Sequence, residues 1–467
     1  MTPGGSSSGG ASAIARRAAL AVTLIAYAAL AYGYAVLTPV WLNPDEPAHF
    51  NYVAFVARTG GLPELRQGDW DSALLERLKT GTLQPGDDVG SIRYESWQPP
   101  LFYVLAAPVY LLGDSADSHG TLLRLRIFDA VLGGLTLLVA YVVARAALPK
   151  PMALAVPITL VGIPMFTAVS AGLSADPLAN LLAAVLILVC VHRLRQPARR
   201  DIRWAAGTGV LIGLGLLTKL ALGIFLPLAA LVVLLRSRRP VLDGPVLRGT
   251  LPTGSLSAST DQYSSRSTDQ SSSAVLDSLV LVGTAAVTAL PWFVHQLTTY
   301  GWADPFALAR HSVVVTDQPR FPGLTLDYTV QFLTISFHSF WAQFGWMAIV
   351  APERLYWIWG IATLVGVVGL ASELPAMRAN PIWQLLLGTV GVAFLAYLGY
   401  NATFQQPQGR YLFTALVPIA VLLVTGWSAW LPARLKAPVA LGIATLLVAL
   451  NAYALIRVLI PGFAPKG

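Results

Sequence analysis

Two adjacent carboxylates and a histidine, Asp45, Glu46 and His49, lie directly after the first long apolar run, within the sequence Asn-Pro-Asp-Glu-Pro-Ala-His-Phe. A carboxylate where a membrane helix leaves the bilayer can serve as a general base at the mouth of a membrane-embedded site. On a helix, Asp45 and His49 would share one face. The same residues could instead begin an interfacial helix, with Asn43 as the N-cap, Pro44 in the first helical position and the acids complementing the helix dipole. Both interpretations stay open at this point.

Three more charged residues lie beside or inside apolar segments, and each has a structural as well as a functional interpretation. Asp176 precedes a proline and could be a helix N-cap. Lys219 lies between two short apolar segments, where it needs an anionic partner unless its side chain reaches the interface. Arg410 opens an apolar run and could anchor that end at the interface. Functionally, an external carboxylate and two cations suit group transfer from an anionic lipid, because the carboxylate can deprotonate an acceptor hydroxyl while the cations hold the phosphate.

The composition is that of a membrane protein. Of the 467 residues, 55% are hydrophobic and only 12% are charged, and apolar runs of membrane-spanning length recur along the chain. The net charge of +8 would suggest nucleic-acid binding in a soluble protein. Here the positive-inside rule explains it, so no nucleic-acid partner is expected. The single cysteine, Cys190, excludes an intramolecular disulfide and a thiolate metal cluster.

The apolar runs predict an all-α, polytopic transmembrane bundle with about 11 spans and external juxtamembrane helices in the first loop. Two arginines precede the first run, which is too long for a cleaved signal peptide, so we interpret it as an uncleaved signal anchor with a cytoplasmic N-terminus. The predicted spans are 18–40, 124–146, 151–172, 176–194, 204–218, 220–236, 275–297, 354–372, 381–400, 410–430 and 437–459.

The segments between the spans complete the predicted organisation. A Gly/Ser-rich, disordered tail (1–15) precedes a transmembrane domain (16–460), and a short external tail (461–467) follows it. Within the domain we predict an external loop 1 (43–123) with a membrane-lying helix at 99–113, a cytoplasmic low-complexity loop (237–274), and an external loop (298–349) that holds a re-entrant or interfacial segment at 328–349.

The distribution of charge gives this arrangement its orientation. Basic residues gather on the side that the predicted topology makes cytoplasmic, for example in the cluster at 193–203 and at 236–239. The opening acidic sequence, Asp176 and Arg410 then fall on the external side, with Lys219 pointing toward it. We therefore predict a multi-pass protein of the cell membrane, embedded in the lipid bilayer, with an extracytoplasmic active site.

Two local sequence matches are discounted. Gly207-Thr208-Gly209 resembles a nucleotide-binding loop, but no strand precedes it, so the glycines indicate close helix packing and no nucleotide cofactor is expected. Asn401-Ala402-Thr403 matches a glycosylation acceptor by a pattern that is common by chance.

Five short motifs occur in a fixed order, and together they resemble a known superfamily. They are Pro-Asp-Glu-Pro-x-His at 44–49, Gln-Pro-Pro-Leu-x-Tyr at 98–103, Thr-Lys at 218–219, Ser-Phe-Trp-x-x-Phe-Gly at 339–345 and Gln-Gly-Arg-Tyr at 408–411. In these motifs the chain resembles the GT-C membrane glycosyltransferases, which include the protein O-mannosyltransferases and the lipid A aminoarabinose transferase. It is most similar to an uncharacterised bacterial membrane family of that superfamily. Gln98 departs from the aminoarabinose transferases, which tend to carry a basic residue there.

The resemblance implies transfer of a sugar from a polyprenyl-phosphate-sugar donor to an extracytoplasmic acceptor, which is a cell-envelope glycan, a lipid or a protein, with inversion at the anomeric carbon. It implies Asp45 as the general base and Glu46 as a second catalytic acid. The substrate-binding residues that it implies are His49, Gln98, Tyr103, Asp176, Lys219, Trp341, Arg410 and Tyr411. A divalent metal is left open, since some relatives use one and Asp45, Glu46 and His49 could supply ligands.

Two other functional classes remain as alternatives. A transporter or flippase of lipid-linked sugars would use the same buried cations without an external base, and paired inverted repeats with broken helices would favour it. A non-catalytic membrane protein of envelope assembly would need neither the buried cations nor the external base. The sequence shows no clear internal repeat, so transfer is the preferred hypothesis.

Overall fold

Helices dominate the computed structural model of the chain, which describes residues 7–80, 88–113, 117–196, 201–237, 258–316 and 318–464. In the first half they are α1 (Ser7–Leu37), α2 (Glu46–Thr59), α3 (Ser72–Lys79), α4 (Leu101–Leu111), α5 (Ser118–Ala147), α6 (Lys150–Ala153), α7 (Ala155–Val161), α8 (Pro164–Ser170), α9 (Asp176–Arg195), α10 (Ile202–Leu216) and α11 (Phe225–Ser237). In the second half they are α12 (Ala258–Tyr300), α13 (Leu308–Val314), α14 (Leu326–Trp341), α15 (Glu353–Arg378), α16 (Pro381–Asn401), α17 (Leu416–Trp427), α18 (Ala433–Ala454) and α19 (Ile460–Gly462).

Short 3₁₀ and π segments and one hairpin complete the described elements. The 3₁₀ segments are Val89–Ser91, Leu220–Ile224 and Gly409–Ala415, and a π segment at Leu455–Leu459 extends α18. In the described ranges the strands are β1 (Gln343–Phe344) and β2 (Ile349–Val350), which pair antiparallel with Gln343 opposite Val350. The predicted all-α class is therefore confirmed.

Eight helical segments in the described ranges are long and apolar enough to cross a membrane. The pair Lys150–Val161 and Pro164–Ser170 is bent by 67° and makes a ninth if it counts as one span. The predicted spans 204–218 and 220–236 correspond to helices of only 15 and 17 residues, and at 1.5 Å per residue they are shorter than the roughly 30 Å hydrocarbon core. A polytopic membrane bundle is confirmed, whereas the count of about 11 spans is not.

Two helices begin earlier than the sequence predicts. α1 begins at Ser7, inside the predicted disordered tail, and α12 begins at Ala258, inside the loop predicted for 237–274. The segments 238–257 and 465–467 lie outside the described residues, so what was predicted for them stays a prediction. Polar, serine-rich sequence gives no apolar periodicity, which is why the pattern alone does not extend either helix.

The glycines of α10 allow it to lie directly against α12. A Cβ atom on Gly209 would come within 2.3 Å of the Leu281 carbonyl oxygen, and one on Gly213 within 2.9 Å of the Ala285 carbonyl oxygen. Side chains at these positions would push the two helices apart. The interpretation as close helix packing is confirmed for Gly209 and Gly213, whereas a Cβ atom on Gly207 would meet nothing within 4 Å.

The first loop forms an apolar layer on one end of the bundle. Buried residues of α2, α3 and α4 pack together and against the start of α5, with Tyr52 and Tyr103 stacked at 3.6 Å between ring centroids. The main-chain N–H of Leu101 donates to the carbonyl oxygen of Leu217 at 2.8 Å, so α4 also docks on the end of α10. This layer brings the first-loop motifs next to the break before Lys219.

α14 and the β1–β2 hairpin occupy the segment 328–349. α14 has 16 residues and is not among the helices of membrane-spanning length in the described ranges. Thr325 caps it, since its hydroxyl accepts the N–H of Tyr328 at 3.1 Å. A re-entrant or interfacial placement of this segment stays a prediction.

Candidate active site

The carboxylate of Asp45 is free of helix capping and faces two other polar side chains. α2 begins at Glu46, and Asp45 is its N-cap in the left-handed conformation, with φ 64° and no side-chain cap hydrogen bond. Aspartate tolerates that conformation better than most residues. Its Oδ1 instead accepts the hydroxyl of Tyr94 at 2.7 Å and its Oδ2 accepts Nη2 of Arg410 at 3.1 Å. The interpretation of the acidic sequence as a plain helix start at Asn43 and Pro44 is wrong, because the helix begins two residues later.

Asp176 links the two cations. It is the first residue of α9 with Ala175 as the N-cap, so its expected capping role is wrong. Its Oδ1 accepts a hydrogen bond from Nζ of Lys219, and its Oδ2 lies 4.0 Å from Nη1 of Arg410. The lysine between the two short helices thus has the anionic partner that its apolar surroundings require. Lys219, Asp176, Arg410 and Asp45 form one continuous chain of ion pairs.

Close packing against α14 positions Arg410. The main-chain N–H of Gly409 donates to Oγ of Ser339 at 2.7 Å, and a Cβ atom on Gly409 would lie 2.1 Å from the Ser336 carbonyl oxygen. Nε of Arg410 donates to Oε1 of Gln408 at 2.6 Å. Ser339 of one motif thus fixes Gly409 of another, and only a glycine fits at position 409 because a side chain would collide with α14.

Tyr411 lies beside both cations. Its ring centroid is 5.7 Å from Cζ of Arg410 and 5.6 Å from Nζ of Lys219, within the range of cation–π attraction. Its hydroxyl donates to Oε1 of Gln406 at 2.8 Å, which fixes the ring. The structure therefore brings Tyr411 to the cluster, as the sequence predicts.

Glu46 points into a separate, fully buried network. Its carboxylate accepts two hydrogen bonds from Arg126, at 2.7 and 2.6 Å, and others from Asn43 and the main chain of Trp41. Arg126 also donates to the main-chain carbonyl oxygens of Ala35, Thr38 and Pro39. With its oxygens saturated and its exposure at 0%, Glu46 has no free lone pair at the cluster. The geometry corrects the predicted catalytic role to a positioning role, joining the end of α1 to α2 and α5.

His49, Tyr103 and Gln98 form the first-loop side of the site. Nδ1 of His49 lies 2.8 Å from the hydroxyl of Tyr103, and Tyr52 donates to the carbonyl oxygen of Gln98 at 3.1 Å. Burial lowers the pKa of His49 to about 4, although Asp45 and Asp176 oppose the shift. His49 is therefore neutral near pH 7 and supports the site without adding charge.

Trp341 lies away from the cluster. It is 1% exposed, belongs to the apolar core of the bundle, and stacks parallel to Trp359 with ring centroids 5.8 Å apart. The predicted substrate-binding role of Trp341 is therefore corrected to core packing beside the Ser339 contact. The presence of a tryptophan in a motif does not by itself show whether that tryptophan binds substrate or packs in the core.

Four residues of the site were missed by the sequence reasoning, namely Tyr94, Glu95, Arg126 and Gln408. An arginine inside a predicted span was a signal for Arg126, because such residues need partners. Glu95 is partly exposed, but its Oε2 is shielded and has no hydrogen-bond partner among the described residues. Burial and next the charge of Asp45 raise the pKa of Glu95 to about 8, while a hydrogen bond with the Gln98 side chain and the charges of Lys219 and Arg410 oppose the shift. One acid among many in a polar loop gives no local signal for this environment.

The residues do not fit a metal centre built on Asp45, Glu46 and His49. In the part of the chain that the structure describes, no group of three or more His, Cys, Asp or Glu side chains is arranged to hold a metal ion. Glu46 is saturated by Arg126, and the two carboxylate oxygens of Asp45 are engaged by Tyr94 and Arg410. Metal ligands need free lone pairs that converge on one point.

A pocket opens beside Arg410. Its lining includes Asn43, Pro44, Leu173, Ser174, Phe344 and Arg410. It thus joins the acidic sequence, the turn before α9 and the β1 strand. Its lining is largely apolar, with the Arg410 guanidinium as the cationic group.

Comparison with known proteins places the fold. The family described as dolichyl-phosphate-mannose-protein mannosyltransferase matches residues 98–251. No curated protein matches the chain by sequence. The solved structure of ArnT from Cupriavidus metallidurans bound to undecaprenyl phosphate is similar, with 14% identity and a TM-score of 0.52, covering 95% of this chain and 73% of ArnT. Its apo state matches with 15% identity and a TM-score of 0.51, over the same shares of the two chains.

A more distant likeness is to the oligosaccharyltransferase of Archaeoglobus fulgidus in the apo form, with 12% identity and a TM-score of 0.47. This chain is covered over 95% and spans only 55% of that protein. The similarity to ArnT alone therefore carries the conclusion on architecture. Together with the family match, it confirms the resemblance drawn from the motifs, and the chain has the fold of the GT-C superfamily of membrane glycosyltransferases.

Proposed function

We propose that this protein transfers a sugar from a polyprenyl-phosphate-linked donor to a hydroxyl-bearing, extracytoplasmic acceptor. The observation that carries the proposal is the chain of ion pairs through Lys219, Asp176, Arg410 and Asp45. Four distant parts of the sequence supply these residues, and all four meet at one end of a membrane bundle. Ionisable residues are energetically costly within a largely apolar protein, and clusters of them occur mostly at functional sites.

The two cations suit a phosphate at the bilayer surface. Arg410 is 8% exposed and Lys219 is part-buried, so water screens them less than it would surface charges. Each is neutralised by a carboxylate, and a phosphate that accepts bidentate hydrogen bonds from a guanidinium can displace that partner. The undecaprenyl phosphate bound to ArnT supports a lipid phosphate as the ligand of this fold.

Displacement would also activate Asp45. Once a phosphate binds Arg410, Oδ2 of Asp45 loses its ion pair while Oδ1 keeps the hydrogen bond from Tyr94. Burial raises the pKa of Tyr94 well above its ordinary value, so this hydroxyl stays neutral and continues to donate. The freed Oδ2 can then accept a hydrogen bond from the acceptor hydroxyl, which positions Asp45 to take its proton.

The reaction is a single displacement. The acceptor hydroxyl gives its proton to Asp45, its oxygen forms a bond to the anomeric carbon, and the bond between that carbon and the phosphate oxygen breaks. The electron pair leaves with the polyprenyl phosphate, whose added charge Lys219 and Arg410 stabilise. Attack from the side opposite to the leaving group inverts the anomeric carbon.

The test is to incubate the purified protein with a panel of polyprenyl-phosphate sugars and candidate acceptors. Release of polyprenyl phosphate together with a glycosylated acceptor is expected for at least one donor. A flippase of lipid-linked sugars would instead move the donor across proteoliposome membranes and release nothing. Movement without release would overturn the transferase proposal.

A further inference from the structure

Three side-chain atoms near the site are shielded from solvent and have no hydrogen-bond partner among the described residues. They are Oε2 of Glu95, Nε1 of Trp97 and Oε1 of Gln296. Such atoms are uncommon in folded proteins, since each costs about 1–3 kcal/mol when left unpaired. All three belong to residues of one turn or to a side chain that is hydrogen-bonded to that turn.

One short turn and one helix supply the three atoms. The N–H of Gln98 donates to the carbonyl oxygen of Glu95 at 3.0 Å and closes the turn. Gln296 on α12 is 1% exposed, and its Nε2 donates to the carbonyl oxygen of Trp97 at 2.8 Å. The amide head of Gln296 is thereby fixed against the turn while its oxygen stays unused.

The turn lies next to the proposed phosphate site. Glu95 interacts electrostatically with Asp45, Lys219 and Arg410. The turn is followed by α4, whose first residue, Leu101, donates its main-chain N–H to the carbonyl oxygen of Leu217 at 2.8 Å. Leu217 lies two residues before Lys219. A group bonded to a phosphate at Lys219 and Arg410 would thus be within reach of the turn.

We infer that Glu95, Trp97 and Gln296 form the subsite for the sugar of the donor. A sugar supplies hydroxyl groups that donate to carboxyl and amide oxygens and accept from an indole N–H. The indole also offers an apolar surface for the C–H face of a sugar ring. A hydrocarbon chain would satisfy none of the three atoms. The inference rests on the proposed function, since it takes the phosphate site as its starting point.

The experiment compares the binding of free polyprenyl phosphate with that of polyprenyl phosphates carrying different hexoses and pentoses. The wild type, Trp97→Phe and Glu95→Gln are measured side by side, together with Trp359→Phe. Trp359 is the matched control, because its indole N–H is also buried and unpaired but lies in the bundle core. We expect the wild type to bind at least one sugar-bearing lipid more tightly than the free phosphate, by about tenfold or more.

At pH 6.5, where the Glu95 carboxyl of the wild type is neutral, the two subsite variants should lose most of that gain while keeping the wild-type affinity for free polyprenyl phosphate. Trp359→Phe should keep both. A gain that survives in Trp97→Phe and Glu95→Gln would overturn the subsite and leave water to satisfy the three atoms. The absence of any gain in the wild type would overturn it too, with the phosphate site intact. Failure of the wild type to bind any polyprenyl phosphate would instead refute the proposed function, and the subsite with it.

Discussion

Nη2 of Arg410 lies 3.1 Å from Oδ2 of Asp45, across 365 positions of sequence. The same guanidinium that is suited to a phosphate therefore holds the candidate base when no phosphate is bound. This contact couples two tasks, because a ligand that takes the arginine also releases the carboxylate. A substitution of Asp45 should therefore affect sugar transfer and donor binding in different ways.

Asp45→Asn should cut sugar transfer by about a hundredfold or more and leave donor binding unchanged or tighter. Asparagine cannot accept the proton, and it no longer competes with the donor phosphate for Arg410. It also tolerates the left-handed backbone at this position. Turnover and donor affinity are measured together, with Asp71→Asn as the control, since Asp71 only caps α3. Wild-type transfer by Asp45→Asn would remove Asp45 from the mechanism and point to Asp176 or Glu95.

Lys219→Ala should weaken donor binding by about tenfold or more, and Lys219→Arg should restore it only in part. The ammonium contributes a compact charge, whereas a guanidinium is planar and would meet Asp176 and Tyr411 in a different geometry. Equilibrium binding of a polyprenyl-phosphate sugar measures the donor affinity of both variants. Lys436→Ala is the control, because Lys436 forms only a loose, 3.9 Å pair with Glu373. Equal affinity for Lys219→Ala and the wild type would leave Lys219 without a binding role.

Binding of polyprenyl phosphate should weaken as the pH rises from 7.5 to 9. Burial and Asp45 raise the pKa of Glu95 to about 8, so the carboxyl is neutral below that pH and adds a negative charge beside Lys219 and Arg410 above it. A phosphate monoester has finished its own second ionisation by pH 7.5, so its charge is constant above that point. We expect the affinity for polyprenyl phosphate to fall by about tenfold. Glu95→Gln should flatten this profile, and an unchanged slope in that variant would assign the effect to another group.

Glu46→Gln should destabilise the protein by about 3–5 kcal/mol, because it leaves the buried Arg126 without its counter-charge. Denaturation in detergent measures the loss. Glu373→Gln breaks a partly exposed pair and should cost less than about 1 kcal/mol. If Glu46→Gln kept its stability and lost only turnover, the catalytic role that the sequence predicts for Glu46 would be restored.

Much of the architecture could be predicted from the sequence, because long apolar runs and charges inside them are local signals. Lys219, Asp176 and Arg410 were found that way, whereas Tyr411 came from the family resemblance, and the structure brings all four together. The roles of Glu46 and Trp341 were not predictable in the same way. The partner of Glu46 is 80 residues away on α5, and Trp341 shares a motif with Ser339 while packing into the core. Such pairings depend on how helices pack, which no local pattern encodes.

The orientation of the site can be tested with impermeant thiol reagents in a Cys190→Ser background. Because basic residues cluster at one end of the predicted topology, Asp88→Cys should be labelled from outside and Arg203→Cys only after permeabilisation. Both positions are exposed in the structure. External labelling at position 203 would invert the topology and place the site on the cytoplasmic side.

The contacts of Arg126 with the last turn of α1 have a consequence for protein engineering. Arg126 donates to the carbonyl oxygens of Ala35, Thr38 and Pro39, and Tyr34, directly before Ala35, donates to Asn451 at 2.8 Å. The end of the first helix is therefore bound to both α5 and α18 as an integral part of the fold. A chimera with a heterologous anchor of equal hydropathy would insert into the membrane, yet it would lack the side chain that Asn451 binds. Fusion partners belong before Ser7, and the junction after Tyr34 should be left as it is.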